Sequence, residues 1–269
     1  MSSFSVLVPV LNGAEHIGDA LNSVANQTHG NLRVVVSDNA STDATLELLD
    51  SWRDRLDLKV IRQPETRPMQ EHFNAILDQV RTDHYMLLCH DDYLAQPDAV
   101  ALADQALIDH PDIPAVYCDL EYVNADKRRL ATRRFPRGAL FAADTAGRET
   151  LRTARNMFGV PIGVRRSALG DLRYDPRFHY TMDVDLSWAM ARGQMLVHIA
   201  QPLIANRYRA GNTTWQLLNK SRGEFLALHD KYGIPLNPVE HVQLSARIWA
   251  VNQQKKIFGL FGRMFEWLG

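Results

Sequence analysis

Apolar positions along the chain fall into short unbroken blocks that alternate with stretches of helical spacing. Ser5–Val10 (SVLVPV) is an almost continuous apolar run, the pattern of a strand covered on both faces in a parallel sheet. Beyond Asn12 and Gly13, the residues Ile17, Leu21 and Val24 lie on one side of a predicted helix. Leu32–Val36 (LRVVV) predicts a second strand. Thr45–Leu56 predicts a second helix, with Ser41, Thr42 and Asp43 as candidate caps and first-turn acid. Leu58–Ile61 is a third strand, and Phe73, Ile76, Leu77 and Val80 mark a third helix by their i, i+3, i+4, i+7 spacing. Tyr85–Cys89 (YMLLC) predicts a fourth strand that stops abruptly at His90-Asp91-Asp92. Strand and helix alternating in this way argue for an open, doubly wound α/β sheet.

Past residue 110 the pattern is less regular. Ala115–Val123 reads as a strand, followed by a basic stretch, Lys127–Gly138 (KRRLATRRFPRG). Phe158–Leu169 reads as a loop or short strand, Phe178–Gly193 as a helix ending near the glycine, and Met195–Arg209 as further strands. The last fifty or so residues are helical in pattern and predict a C-terminal helical appendage. The boundaries expected are a domain over 1–215, with halves 1–110 and 111–215, and helices over 216–269.

The chain's 269 residues are enough to bury a large core without external staples. Thirty basic against thirty-one acidic residues remove the simplest argument for a nucleic-acid partner. Two cysteines, Cys89 and Cys118, in apolar stretches fit a reducing compartment rather than a disulfide framework or a zinc site. No apolar run reaches the roughly 18 residues of a membrane span, and no signal peptide precedes the first strand, so a cytoplasmic chain is expected.

Ligands of doubly wound sheets bind beyond the carboxyl ends of the strands. Asp38 and Asn39 stand at one such end, and Asp91 and Asp92 at another. Adjacent carboxylates raise each other's pKa unless something positive intervenes, and a divalent cation such as Mg²⁺ or Mn²⁺ does so with oxygen ligands. The alternative is a solvated loop.

These blocks carry a resemblance. Residues 5–45 (SVLVPVLNGAEHIGDALNSVANQTHGNLRVVVSDNASTDAT), then MLLCHDDYLAQP, MDVDLSW and NRYRAGNTT, resemble a family 2 glycosyltransferase over roughly residues 4–215. The resemblance implies the GT-A type fold, a Rossmann-like open mixed sheet flanked by helices. It also implies an inverting, metal-dependent enzyme that moves a sugar from a nucleotide diphosphate to a hydroxyl of a glycan or lipid-linked saccharide acceptor. Polysaccharide or cell-envelope glycan synthesis is the setting it suggests. Pro9, Val10, Asn12, Asp38 and Asn39 then match segments holding the base and ribose, and Asp91 the acid on the ribose side. Asp92 matches the ligand of Mn²⁺ or Mg²⁺, Asp183 the general base, and Arg209 an arginine that closes over the diphosphate. A UDP-sugar is the favoured donor, with dTDP or GDP as the other nucleotides. Without the resemblance, Asp183 reads only as a first-turn acid near a helix start, and Asp185 as scaffold.

The sequence departs from the pattern at Cys89, where another acid is common, at Leu11, where a stacking ring is common, at Met182 before the base, and at Gly211 in the closing loop. These departures keep a non-catalytic nucleotide-sugar-binding or assembly subunit as the alternative function. A nucleotidyltransferase would call for a glycine-rich phosphate loop, which VPVLNGAEH is not. The basic run, with Arg128, Arg134 and their neighbours, is expected to be mostly a solvated loop, leaving one or two arginines for phosphate. In the tail KKIFGLFGRMFEWLG, residues Ile257, Leu260, Phe261, Met264, Phe265 and Leu268 form a helical apolar stripe flanked by Lys255, Lys256 and Arg263. Such a helix can lie on a membrane surface, making the protein peripheral, or pack on its own domain or on a second subunit of a homodimer.

Overall fold

The computed structural model describes residues 2–135, 137–208 and 213–267, with residues 213, 214 and 258–267 described as backbone only. The first half alternates β1 (Phe4–Val10), α1 (Ile17–Ala25), β2 (Leu32–Asp38), α2 (Thr45–Asp50), β3 (Leu58–Arg62), α3 (Met69–Leu77) and β4 (His84–Leu87). Then come β5 (Tyr93–Leu94), α4 (Ala99–Asp109), β6 (Ala115–Val123), β7 (Arg129–Arg133), β8 (Leu140–Ala142), α5 (Ala143–Thr153), β9 (Pro161–Arg165), α6 (Arg166–Leu169), α7 (Met182–Ala191) and β10 (Met195–Arg207). Three helices close the chain: α8 (Thr213–Gln216), α9 (Ser221–Lys231) and α10 (Pro238–Trp267).

The ten strands of the described residues form one sheet with the path β3-β2-β1-β4-β9-β6-β10-β5, with β7 paired to β6 and β8 to β10. Strands β1 to β4 are mutually parallel, β9 runs antiparallel between β4 and β6, and the sheet is therefore mixed. Successive residues of the central strands point to opposite faces. Leu7, Val35 and Tyr85 join an apolar cluster with α3, α5 and α7, while Val6, Val8, Val34, Val36 and Met86 join a second cluster with α1, α2 and α4. Phe225 and Leu228 of α9 and Leu244, Ile248 and Val251 of α10 belong to the first of these clusters, so the C-terminal helices share the core of the sheet. No described helix is long and apolar enough to cross a membrane.

Several elements differ from their sequence-based bounds for local reasons. α2 ends at Asp50 rather than near Leu56, because Ser51 Oγ bonds back to the Leu48 carbonyl at 2.6 Å and the chain continues in tight turns that bury Trp52. α3 ends at Leu77, and Val80 packs from the turn that follows. Met195–Arg207 is a single strand whose register against β6 shifts on either side of Pro202, where no N–H is available to the ladder. The basic run is a solvated loop only in part: Lys127, Arg128, Arg129 and Arg134 are exposed, while the rest is built into the fold. Arg129–Arg133 forms β7, Arg133 lies over the Phe135 ring, and Arg137 stacks 3.7 Å from the Phe141 ring centroid and donates to the carbonyls of Met157 and Phe158. Planar guanidinium groups on apolar stems pack this way against rings.

Candidate functional site

The loops after β1 and β2 are stitched together by the residues that end them. The Asn12 N–H donates to Ser41 Oγ at 2.8 Å, the Thr42 N–H to Asn12 Oδ1 at 2.9 Å, and the Gly13 N–H to Thr45 Oγ1 at 2.9 Å. Asn12 and Ala40 adopt positive φ, 50° and 63°. Gly13 has no room for a side chain: a Cβ there would lie 2.4 Å from Val10 Cγ2 and 2.7 Å from His90 Cδ2. Pro9 follows the last β1–β4 pair, Leu7 with Leu87, where the sheet opens into a cleft and its missing N–H costs no ladder bond. Asn39 exchanges hydrogen bonds with Arg67, Nδ2 to the carbonyl at 3.0 Å and Oδ1 from the N–H at 2.9 Å, and this pins the loop between β3 and α3 to the cleft wall. Asp38 stands behind that wall, fully buried, with both oxygens 3.2 Å from the Ser41 N–H and Arg62 Nε 3.8 Å away.

The turn between β4 and β5 carries the acids. Donor atoms of Cys89, Asp91 and Asp92 lie within 4.8 Å of one another. Asp92 Oδ1 accepts the Arg207 N–H and Oδ2 accepts Asn206 Nδ2, both at 2.9 Å. Arg207, with a side chain 1% exposed, also donates from Nε to the Asp91 carbonyl at 3.0 Å and pairs with Asp19 at 2.7 Å. Burial first, and Asp91 second, push the Asp92 carboxyl well above the usual range, and burial with Asp92, Asp91 and Asp183 pushes the Cys89 thiol up. A protonated thiol is a poor ligand for a hard ion. The two carboxylates fit one: each Asp92 oxygen keeps a lone pair, Asp91 lies beside it, and a divalent cation removes their mutual repulsion.

Asp183 lies on the first turn of α7. The loop before it is held from α9 by Glu224, whose Oε2 accepts the N–H groups of His179, Tyr180 and Thr181 at 2.8–2.9 Å and the Thr181 hydroxyl at 3.1 Å. The Asp183 carboxylate is open to water within the cleft yet surrounded by protein, and that desolvation raises it to about 6. Asp185 points away and is scaffold, bonded to Lys231 Nζ at 2.8 Å and Tyr232 Oη at 3.0 Å.

One cleft of about 610 Å³ is lined by Pro9, Val10, Asn12, Asn39, Asp91, Asp92 and Asp183. It therefore unites seven of the residues expected from the sequence, and Asp38 is absent from its lining. Arg209 and Gly211 lie outside the described residues, as do the side chains of the tail from Phe258 onward. Sequence reasoning missed Arg67, Asn206, Arg207 and Glu224. Asn206 and Arg207 sit inside the NRYR motif, but nothing local marks Glu224, whose role depends on α9 folding back onto α7.

Comparison with solved structures finds the same fold in TarS 1–349 of Staphylococcus aureus in complex with UDP-GlcNAc (TM-score 0.64, 17% identity, covering 97% of this chain and 89% of that one). A mannosyltransferase from Pyrobaculum calidifontis in complex with GDP-Man and Mn²⁺ aligns with TM-score 0.63 at 18% identity, over 97% of this chain and 74% of its own. At these identities the likeness speaks for the GT-A fold alone. By sequence, the chain is 32% identical over 126 residues to the abequosyltransferase RfbV of Salmonella typhimurium, which is 45% of this chain and 37% of that protein. It is 36% identical over 113 residues to TarS, the poly(ribitol-phosphate) β-N-acetylglucosaminyltransferase of S. aureus, 39% of this chain and 19% of that one. The match thus spans about a third of the first relative and a fifth of the second. The model of glycosyl transferase family 2 matches residues 5–173, and the chain belongs to that family.

Proposed function

We propose that this glycosyltransferase moves a sugar with inversion from a nucleotide diphosphate, a UDP-sugar by preference and dTDP or GDP otherwise, to a hydroxyl of a glycan or lipid-linked acceptor in cell-envelope or surface-polysaccharide synthesis. The observation that carries this reading is the meeting of Asp183 with the Asp91–Asp92 pair in one cleft. Residues 1–110 provide the nucleotide half of the proposed domain, 111–215 the acceptor half, and 216–269 the helical appendage.

In this reading, Pro9 to Asn12, Asn39 and Arg67 hold the nucleoside. Asp38 contributes by keeping the 38–45 loop closed behind it. Asp91 and Asp92 would hold Mn²⁺ or Mg²⁺, which when bound neutralises charge developing on the departing diphosphate. Asp183 takes the proton from the acceptor hydroxyl, and a carboxylate poised near neutrality suits that task. Arg207 and Asn206 orient the acidic turn. The donors named in the TarS and mannosyltransferase structures, UDP-GlcNAc and GDP-Man with Mn²⁺, support both nucleotides as candidates.

Calorimetry of UDP, GDP and dTDP with and without Mn²⁺ tests the reading. Metal-dependent binding of one nucleotide is expected, lost in Asp91→Ala and in Asp92→Ala. Binding of none would favour the non-catalytic subunit. We further propose a cytoplasmic, peripheral enzyme. Val239, Val242 and Trp249 are 63–68% exposed along the outer side of α10, which runs on into the apolar tail. Flotation with anionic liposomes should be lost on deleting residues 258–269; a wild type that stays in the soluble fraction ends the membrane proposal, and elution as a dimer would turn that face to a second copy.

A further inference from the structure

We infer that Arg133, Arg155 and Lys255 form a binding site for an anionic group, a phosphate monoester or diester, carried by the acceptor. The link to an acceptor rests on the transferase reading; the anion site itself does not.

The three cations come from separate parts of the chain and are joined by successive contacts. Arg133 on β7 donates to the carbonyl of Asn156. The preceding residue, Arg155, donates to Gln254 on α10. Lys255 follows Gln254, and its Nζ donates to Tyr180 Oη at 2.6 Å while standing 4.7 Å from that ring's centroid. Tyr208 holds this turn of α10 in place by donating its hydroxyl to the Lys255 carbonyl at 2.8 Å. No carboxylate among the described residues lies within ion-pair distance of any of the three. Burial, then Arg133 and Arg155, pull the ammonium of Lys255 down to about 8. Like charges gathered without a counter-ion repel one another. A phosphate relieves this and accepts forked hydrogen bonds from arginine.

The cluster is open to a ligand, with Arg155 exposed and Arg133 and Lys255 half-buried. It also adjoins the chemistry. Tyr180 lines the cleft, and its backbone belongs to the Glu224-held loop that leads into Asp183. An acceptor whose phosphate rests on the cations therefore lies along the wall that presents a hydroxyl to Asp183.

The test uses the full chain without divalent metal, so that no bound cation draws the anionic probe to the acidic turn. Acylation of Lys255 by an amine reagent is followed by peptide mass spectrometry at a pH of about 8, where the ammonium is half ionised. Glycerol phosphate is the probe, and glycerol the uncharged control. Saturating glycerol phosphate should slow acylation about tenfold, glycerol should not, and Arg155→Gln should weaken the probe's affinity by about threefold or more. Equal acylation in the two solutions, or protection undiminished in Arg155→Gln, overturns the site. Vesicles then separate the sources of the phosphate. Protection by phosphatidylglycerol vesicles but not by phosphatidylcholine places it on a lipid headgroup, and protection by the soluble probe alone places it on the glycan. UDP binding with Mn²⁺, measured in parallel, keeps the readings apart: protection without UDP binding overturns the transferase reading and leaves the anion site standing.

Discussion

Asp183 owes its chemistry to its surroundings. At the mouth of α7 an aspartate would ordinarily stay ionised well into acid, but protein on all sides of this cleft raises it to about 6. A base accepts a proton only in its ionised form, so in the proposed role Asp183 is competent above that value and idle below it. Donor turnover should therefore be level above neutrality and fall about tenfold per pH unit once the pH drops below about 6. Asp183→Asn should lower kcat by about 10²–10⁴-fold while leaving UDP affinity unchanged. A profile without a break near that pH, or near-wild-type turnover in the variant, would remove Asp183 from the role. Cys89 shows the same dependence: burial first, then Asp92 and Asp91 beside it, push its thiol up, so it fills the turn without adding a charge.

At the scale of elements, the site depends on how strands and helices hold each other's ends. α7 has no side-chain cap of its own, and the loop leading into it hangs on a carboxylate from α9. Glu224→Ala leaves three amide protons and a hydroxyl without their acceptor, and each buried unpaired group costs about 1–3 kcal/mol before relaxation. The expected result is faster hydrogen exchange at residues 179–181 and a lower kcat with unchanged UDP affinity. Glu224→Gln, which keeps an acceptor oxygen, should recover part of both. Exchange and kcat that match wild type in the alanine variant would show that the loop holds itself. Arg207 does the corresponding work for the acidic turn, joining β10 to Asp91, Asp92 and Asp19.

For the molecule as a whole, the C-terminal helices complete one face of the sheet. Leu228 on α9 is fully buried in the cluster that also contains Leu7, Val35, Tyr117 and Phe158. Leu228→Ala should cost about 2–5 kcal/mol, and denaturant unfolding followed by fluorescence and by circular dichroism should show one shared transition. Two separate transitions, with only the earlier one shifted, would mean that the helices unfold as an independent unit. Placing β9 antiparallel between β4 and β6 is the other decision made at this scale, since it joins the parallel strands of the first part of the chain to the later strands in one sheet.

Much of the first half of the chain was legible in the sequence by itself. Its strands are buried on both faces and so read as unbroken apolar runs, its helices keep their 3.6-residue stripe, and a parallel sheet sends every strand end to the same edge. The positions of Asn39, Asp91 and Asp92 follow from that local logic, while Pro9 and Asn12 were pointed to by the family resemblance. Only the tertiary structure decided what depends on partners distant along the chain. Asp38 turned inward because Ser41 and Arg62 meet it. Part of the basic run became a strand, with Arg133 and Arg137 packed on rings, because β6, Phe135 and Phe141 offered a surface. Glu224, Arg207 and Lys255 acquired roles only when α9, β10 and α10 folded against loops dozens of residues away. Periodicity reports which face of an element is buried. It carries no information about which distant polar group an element meets, and hydrogen bonds and ion pairs between elements depend on that meeting.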